Sequence, residues 1–358
     1  MQTDMHYYGT YALARAAGIK PEAAMIIATA AQYVDDFKGV SKELADNAYV
    51  GCRATAHGIT LTVETVKDTA QNVDHEDQRH VWSPFHFLPG CEGTTIAERM
   101  ICRKDSKVAQ TMVAHHLDLS NEDFGLVLIG ITAHVYADTF AHFGFSGISN
   151  VMNEVDGRSF DLSIKSSSLR NYVWEKASDF WDACKGQGAE LLTKLGHGGA
   201  ATFPDRPYLT WRFRYSDGRD SDLRNNQDTF LAACEKLHTM FLEFGKRRPE
   251  FSNGDPIVFS AIKEAVREIL SCEGTMEERI DAWQTAAREG LVFANPGKAA
   301  IPTYDPVGYD SEIDHMHTLS STEVHSSPLF TFIRAAEVHR NYVLNELLPL
   351  NGLKAVFP

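Results

Sequence analysis

The stretch that most constrains this chain is Phe124–His142, FGLVLIGITAHVYADTFAH, which is nearly all apolar yet carries His134, Asp138 and His142. Four-residue steps return to the same side of an α-helix, so these three side chains share one face. Neither flank of that face is polar. A helix this apolar is buried, and a buried charge must be paired or must bind a metal. The ten-residue apolar core of the stretch is half of what a membrane span needs. The helix is therefore expected in the middle of a water-surrounded protein. Two readings fit the stripe: a hydrogen-bonded His–Asp–His line in a core, or a set of ligands for a cation such as zinc, which accepts imidazole and carboxylate together.

The rest of the chain is also written in the helical period. Helices are expected from Asp4 to about Ala17 and over Pro21–Asp36, where proline suits the first helical position. Others are expected at about residues 60–71 and 94–117, from Ser120 (a capping signal with Asp123) to about Phe143, and at about 168–195, 226–246, 258–272, 275–290 and 326–348. Residues 208–215, YLTWRFRY, are the best strand candidate. Segments 144–167, 196–225 and 292–321 are rich in Gly, Pro, Ser, Asn and Asp and read as long loops. Helices joined by loops without alternating strands predict one all-α domain over residues 1–358, a multi-helix bundle with long loops. Its candidate ligands lie in 1–215, and further helices fill 226–358.

Acidic residues outnumber basic ones by 48 to 34, a formal charge of −14. Such a surface repels nucleic acid and anionic membranes, and no basic, aromatic-interleaved face offsets it. A phosphate-bearing small molecule would need a local cation. The six cysteines are scattered without a CxxC pair, which excludes a zinc ribbon and reads as reduced thiols. With no basic-then-apolar opening, the chain is expected to be cytoplasmic. Gly196, Gly198 and Ala201 spell GxGxxA, but without the strand–turn–helix context that a dinucleotide site requires. His115 and His116 close a helix, where they suit its negative end. Asp314, His315 and His317 are a lesser metal candidate in what reads as a solvated loop.

Further candidates are His6 among aromatics in MHYY, Asp35 and Asp36 closing QYVDD, His86 in PFHFLPG, and His197 and Asp205 in GHGGAATFPDRP. In this order the chain resembles the zinc-dependent phospholipase C and single-strand nuclease superfamily: an early His, an Asp closing a helix, a lone His, then HxxxD with a further His. HVYADTFAH also looks like the branch related to fungal heterokaryon-incompatibility proteins. MQTDMHYY, PFHFLPG and GHG…PDRPY are similar to an uncharacterised bacterial family. The resemblance covers residues 1–215. It implies an all-helical fold, one to three zinc ions, and hydrolysis of a phosphate ester by activated water.

On that resemblance Asp35 (or Asp36), His86, His134 and Asp138 hold one metal. His142, His197 and Asp205 hold a second, and His6 with Asp138 a third. His134 and Asp138 are then the catalytic candidates. Two departures bear on this. Secreted members use the amine of a processed N-terminal Trp, whereas this sequence opens Met1-Gln2; Asp4 rather than the Met1 amine is expected as the substitute, because the Met1 side chain would crowd the amine. Pro204 and glycines also open the spacing between His197 and Asp205. The alternative is a helical protein of the same fold that binds metal or a small ligand without catalysis.

Overall fold

In a computed structural model the described residues are 1–57, 75–186, 194–253 and 255–353; the helix expected at about 60–71 lies outside them. A π-helical turn, Asp4–Gly9, runs directly into α1 (Thr10–Ala16). α2 is Pro21–Asp36, with Pro21 at its first position. The antiparallel pair β1 (Val40–Glu43) and β2 (Tyr49–Cys52) follows, in register Val40 to Cys52. Next come α3 (Lys107–Asp118), α4 (Gly125–Ala141) and α5 (Ser167–Gly186). Strand β3 (Asp161–Ser163) pairs antiparallel with β4 (Thr210–Arg212), which pairs antiparallel with β5 (Arg224–Asn225). The chain then continues through α6 (Asn226–Arg247), α7 (Phe259–Leu270), α8 (Met276–Arg288), α9 (Val307–His315) and α10 (Pro328–Tyr342).

The fold is thus predominantly helical, but two small sheets correct the all-α expectation. The second sheet falls in two of the segments read as loops, 144–167 and 196–225, and uses part of YLTWRFRY. Its strands are two or three residues long, too short for a visible alternation. The helix expected over 94–117 is two helices. Ile96–Arg99 is opened by a Thr95/Glu98 capping box, and α3 starts afresh where Ser106 Oγ accepts from the Ala109 amide. Between them Asp105 adopts φ +48°. Ser120 does not cap α4 either. The chain turns through residues 119–125 and the helix begins at Gly125, where a Cβ would sit 2.3 Å from the Ser120 carbonyl oxygen. Among the described residues no helix is long and apolar enough to cross a membrane.

α4 is the central helix, packed against α2, α6, α10 and α3. All of it but Leu126 is buried. Its closest neighbour is α2, whose facing side is mostly alanine. Gly130 permits the approach: a Cβ there would lie 2.3 Å from the Ile27 carbonyl oxygen and 2.7 Å from Ala30 Cβ. The helices form one large apolar core. A second, aromatic core, including Trp82, Phe87, Phe145, Phe203, Trp211 and Phe213, lies around the three-stranded sheet. The C-terminal end of α4 delivers its stripe to the boundary between the two.

Candidate metal centre

The shared face of α4 is as the spacing requires. His134, Asp138 and His142 are all buried and aim at one region. The close α2 contact brings Asp35 beside them, and the short turn before Phe87 adds His86. The orientation of each ring follows from one hydrogen bond. A carbonyl oxygen can only accept, so the ring nitrogen facing it carries the proton and the other carries a lone pair. His134 Nδ1 donates to the Ala31 carbonyl (2.7 Å), and His86 Nε2 to Thr55 (2.9 Å). His142 Nδ1 donates to His86 (2.8 Å), and His197 Nδ1 to Ala201 (2.7 Å). Four imidazoles are thereby fixed with their second nitrogens as acceptors.

Those acceptors converge. His86 Nδ1, His134 Nε2 and Asp138 Oδ2 lie 3.3 Å from one another, and Asp35 Oδ1 lies 3.8 and 3.9 Å from the two nitrogens. A tetrahedron of ligands ~2.1 Å from zinc has edges of roughly 3.4 Å. A second group joins His142 Nε2 to Asp205 Oδ1 (2.9 Å) and His197 Nε2 to Asp205 Oδ2 (3.6 Å). A third is His6, His134 and Asp138, with His6 Nε2 3.2 Å from Asp138 Oδ1. The His6 ring stacks on His134, centroids 3.8 Å apart, and among the described residues neither of its buried nitrogens has a hydrogen-bond partner. Acceptors facing acceptors repel unless a cation sits among them. Three groups of these side chains could each hold a metal ion.

The electrostatics reflect the same need. Burial would push the Asp138 carboxyl up, but the imidazoles of His142, His134 and His6 and the Met1 ammonium outweigh it and hold it well below the usual range. Asp35 and Asp205 are held down in the same way, against the effect of burial, by histidines around them and, for Asp205, also by the Met1 ammonium. Burial lowers His6 to about 3 and His197 to about 4. His134 is raised, because Asp138 and Asp35 outweigh its burial.

Of the expected ligands, His6, Asp35, His86, His134, Asp138, His142, His197 and Asp205 are brought together, and the opened spacing before Asp205 does not keep it out. Asp36 and Asp4 are not in the cluster. Asp36 follows Asp35 by one residue, about 100° around the helix, and takes the Tyr304 hydroxyl (2.5 Å). Asp4 forms a buried ion pair with Arg279 (2.7 Å). The expectation for the first residues is reversed: the Met1 amine lies 2.5 Å from Asp138 Oδ1, 3.3 Å from Asp205 Oδ1 and 3.4 Å from His142 Nε2. Asp314, His315 and His317 stay exposed, the two rings bonding to carbonyls nearby in sequence. His115 and His116 lie in the last turn of α3, and His116 is also buried and bonded to His339 Nδ1 (2.9 Å).

The cluster opens into a cleft of about 450 Å³. Trp82, Phe87 and Leu195 give it apolar walls, and Lys38, Lys176 and Arg206 line it as well. No sequence signal singled out those three cations, nor the carbonyls that orient the rings, because a main-chain acceptor leaves no mark on residue type.

The chain belongs to the family DUF6765, a family of unknown function, whose description matches residues 1–347. No curated protein and no solved structure matches it.

Proposed function

We propose that this protein is a metal-dependent hydrolase of phosphate esters, with zinc as the metal. The observation that carries the reading is the convergence of proton-free donors: His86 Nδ1, His134 Nε2 and Asp138 Oδ2 lie 3.3 Å from one another and Asp35 Oδ1 lies 3.8 and 3.9 Å from the two nitrogens, whose rings are already committed to carbonyls through their other nitrogens. These four would hold one ion, His142, His197 and Asp205 a second, and His6 with Asp138 a third. Bound there, zinc supplies a Lewis acid for phosphoryl oxygens and lowers the pKa of water towards ~7.

The chain's own residues do the rest. Asp138 spans the donor groups: its carboxylate oxygens lie within 3.5 Å of His6, His86, His134 and His142. It therefore fixes the spacing of the whole cluster. The Ala31, Thr55, His86 and Ala201 carbonyls hold the rings so that their lone pairs need no reorganisation. Trp82 and Phe87 limit water on one side of the cleft. The lining cations give an acidic protein a local preference for anions.

The test is elemental analysis of protein loaded with zinc and dialysed, together with hydrolysis of bis(p-nitrophenyl) phosphate. The wild type should retain zinc and turn over the diester, while Asp138→Asn and His134→Ala lose both. A wild type that retains no metal, or equal turnover in both variants, would sink the reading.

A further inference from the structure

Four arginines are buried among the described residues: Arg206, Arg224, Arg279 and Arg340. A guanidinium is always charged, and three of these four have an evident counterpart. Arg279 pairs with Asp4 and Arg340 with Glu337. Arg224 donates to the Ala141 and Phe143 carbonyls at the negative C-terminal end of α4. Arg206 has none. It is 5% exposed, its Nε donates to Thr202 Oγ1 (3.2 Å) and its Nη1 to the Tyr208 hydroxyl (3.2 Å). No carboxylate among the described residues pairs with it, and it lines the cleft.

Two further observations turn this unpaired charge into a site. First, it is held rigidly next to the donor cluster. Asp205, which faces His142 and His197, is its neighbour in sequence. Asn226 Nδ2 ties the turn that carries both, donating to the Phe203 carbonyl (2.7 Å) and the Arg206 carbonyl (2.8 Å). Asn226 is held in turn by the Trp211 indole (3.0 Å). Second, a like charge lies nearby. The Tyr172 ring has Arg206 Cζ 6.0 Å and Lys176 Nζ 5.9 Å from its centroid, and all three line the cleft. Two cations beside one ring favour an anion.

We propose that Arg206 is a specificity-determining residue that binds a second anionic group of the ligand. The cleft then selects phosphate compounds that carry another negative group away from the phosphoryl end. This rests on the phosphate-ester reading above. The phosphoryl group occupies the donor cluster, and the distal carboxylate or phosphate accepts from the guanidinium, with Lys176 adding charge.

The experiment is calorimetric binding to zinc-loaded protein of three non-hydrolysable ligands: butylphosphonate, phosphonobutyrate and propylene bisphosphonate. Wild type should bind the two doubly anionic ligands more tightly than butylphosphonate by roughly tenfold to a hundredfold, the usual worth of a charge-assisted contact. The stronger of the two identifies the distal group as carboxylate or phosphate. Arg206→Gln should erase the preference while leaving zinc content unchanged, and Arg206→Lys should keep part of it. Equal affinity for all three in wild type, or a preference that survives Arg206→Gln, overturns the Arg206 assignment alone. Failure of every ligand to bind zinc-loaded wild type overturns the phosphate-ester reading and this one together. If Arg206→Gln does not fold, the wild-type comparison and Arg206→Lys decide the matter.

Discussion

Asp4→Asn separates the two roles that an acidic residue near the chain start can play. Asp4 and Arg279 are each 2% exposed. Arg279 Nε donates to Asp4 Oδ2 at 2.7 Å and Nη2 to Oδ1 at 3.4 Å, while the Gly274 carbonyl and Gln2 accept from the rest of the guanidinium. Replacing the carboxylate leaves a buried cation with neutral acceptors only. Breaking one side of such a pair costs about 3–5 kcal/mol. With unfolding entropy of about 2.1 cal/mol/K per residue, a chain of 358 residues should lose about 4–7 °C in Tm. Metal content should not change, since Asp4 is absent from every group of converging donors. Differential scanning calorimetry and elemental analysis on the same samples give both quantities. The double variant Asp4→Leu/Arg279→Met should recover most of the lost stability, because it removes both charges. An Asp4→Asn protein that melts like wild type but lacks one equivalent of zinc would refute the reasoning and return Asp4 to the metal site.

Two other outcomes test the frame around the site. Gly130→Ala should destabilise by up to about 2 kcal/mol in denaturant unfolding, since its Cβ meets Ile27 O at 2.3 Å and overpacking outweighs the ~1 kcal/mol that alanine gains in a helix; a more stable variant would mean that α2 and α4 are not in such close contact. Acid should unfold the protein partly through the buried His116–His339 pair, where His116 Nε2 donates to His339 Nδ1 and His339 Nε2 to the Pro84 carbonyl. Burial lowers His339 to about 4 and His116 well below 6.5, so between pH 6.5 and about 4 the unfolded chain binds the extra proton and stability falls with pH. The loss is on the order of 3 kcal/mol for His339, and a His116→Leu/His339→Leu variant whose unfolding free energy keeps the wild-type slope over that window would show that the pair is not responsible.

The part of the site that was legible in the sequence is the part set by local periodicity. His134, Asp138 and His142 had to share a face once the stretch was helical, whatever it packed against. The choice between Asp35 and Asp36 was not local. Both end the same helix, and the decision is made by α4 on one side and by Tyr304, 268 residues away, on the other. Asp4 stands outside the cluster for the same reason, its partner lying 275 residues downstream. The divided helix before α4 is a different case. Ser106 is a capping residue followed by a helical run, so the signal was local and was outweighed by the longer apolar period. The sheet β3–β4–β5 had almost no signal to read, because pairs such as Asp161 with Arg212 join strands too short to show a period.

The bonds that prepare the donors are also the bonds that join distant parts of the chain. His134 reaches across 103 residues to Ala31, His142 across 56 to His86, and His86 across 31 to Thr55. Each ties a ring to the main chain of another segment, and each leaves its second nitrogen pointing at the same place. The tertiary contacts of α2, α4 and the turn at His86 therefore cannot form without also assembling an uncompensated set of acceptors. Apolar burial of α4 drives that assembly, and the repulsion within it is relieved by positive charge. Met1 supplies some of that charge here, its ammonium raised to about 11 because Asp138, Asp205 and Asp35 outweigh the effect of burial. A divalent ion bound there would supply more and would satisfy the lone pairs directly. Folding and the gathering of these donors are in this way one requirement, met by the same few hydrogen bonds.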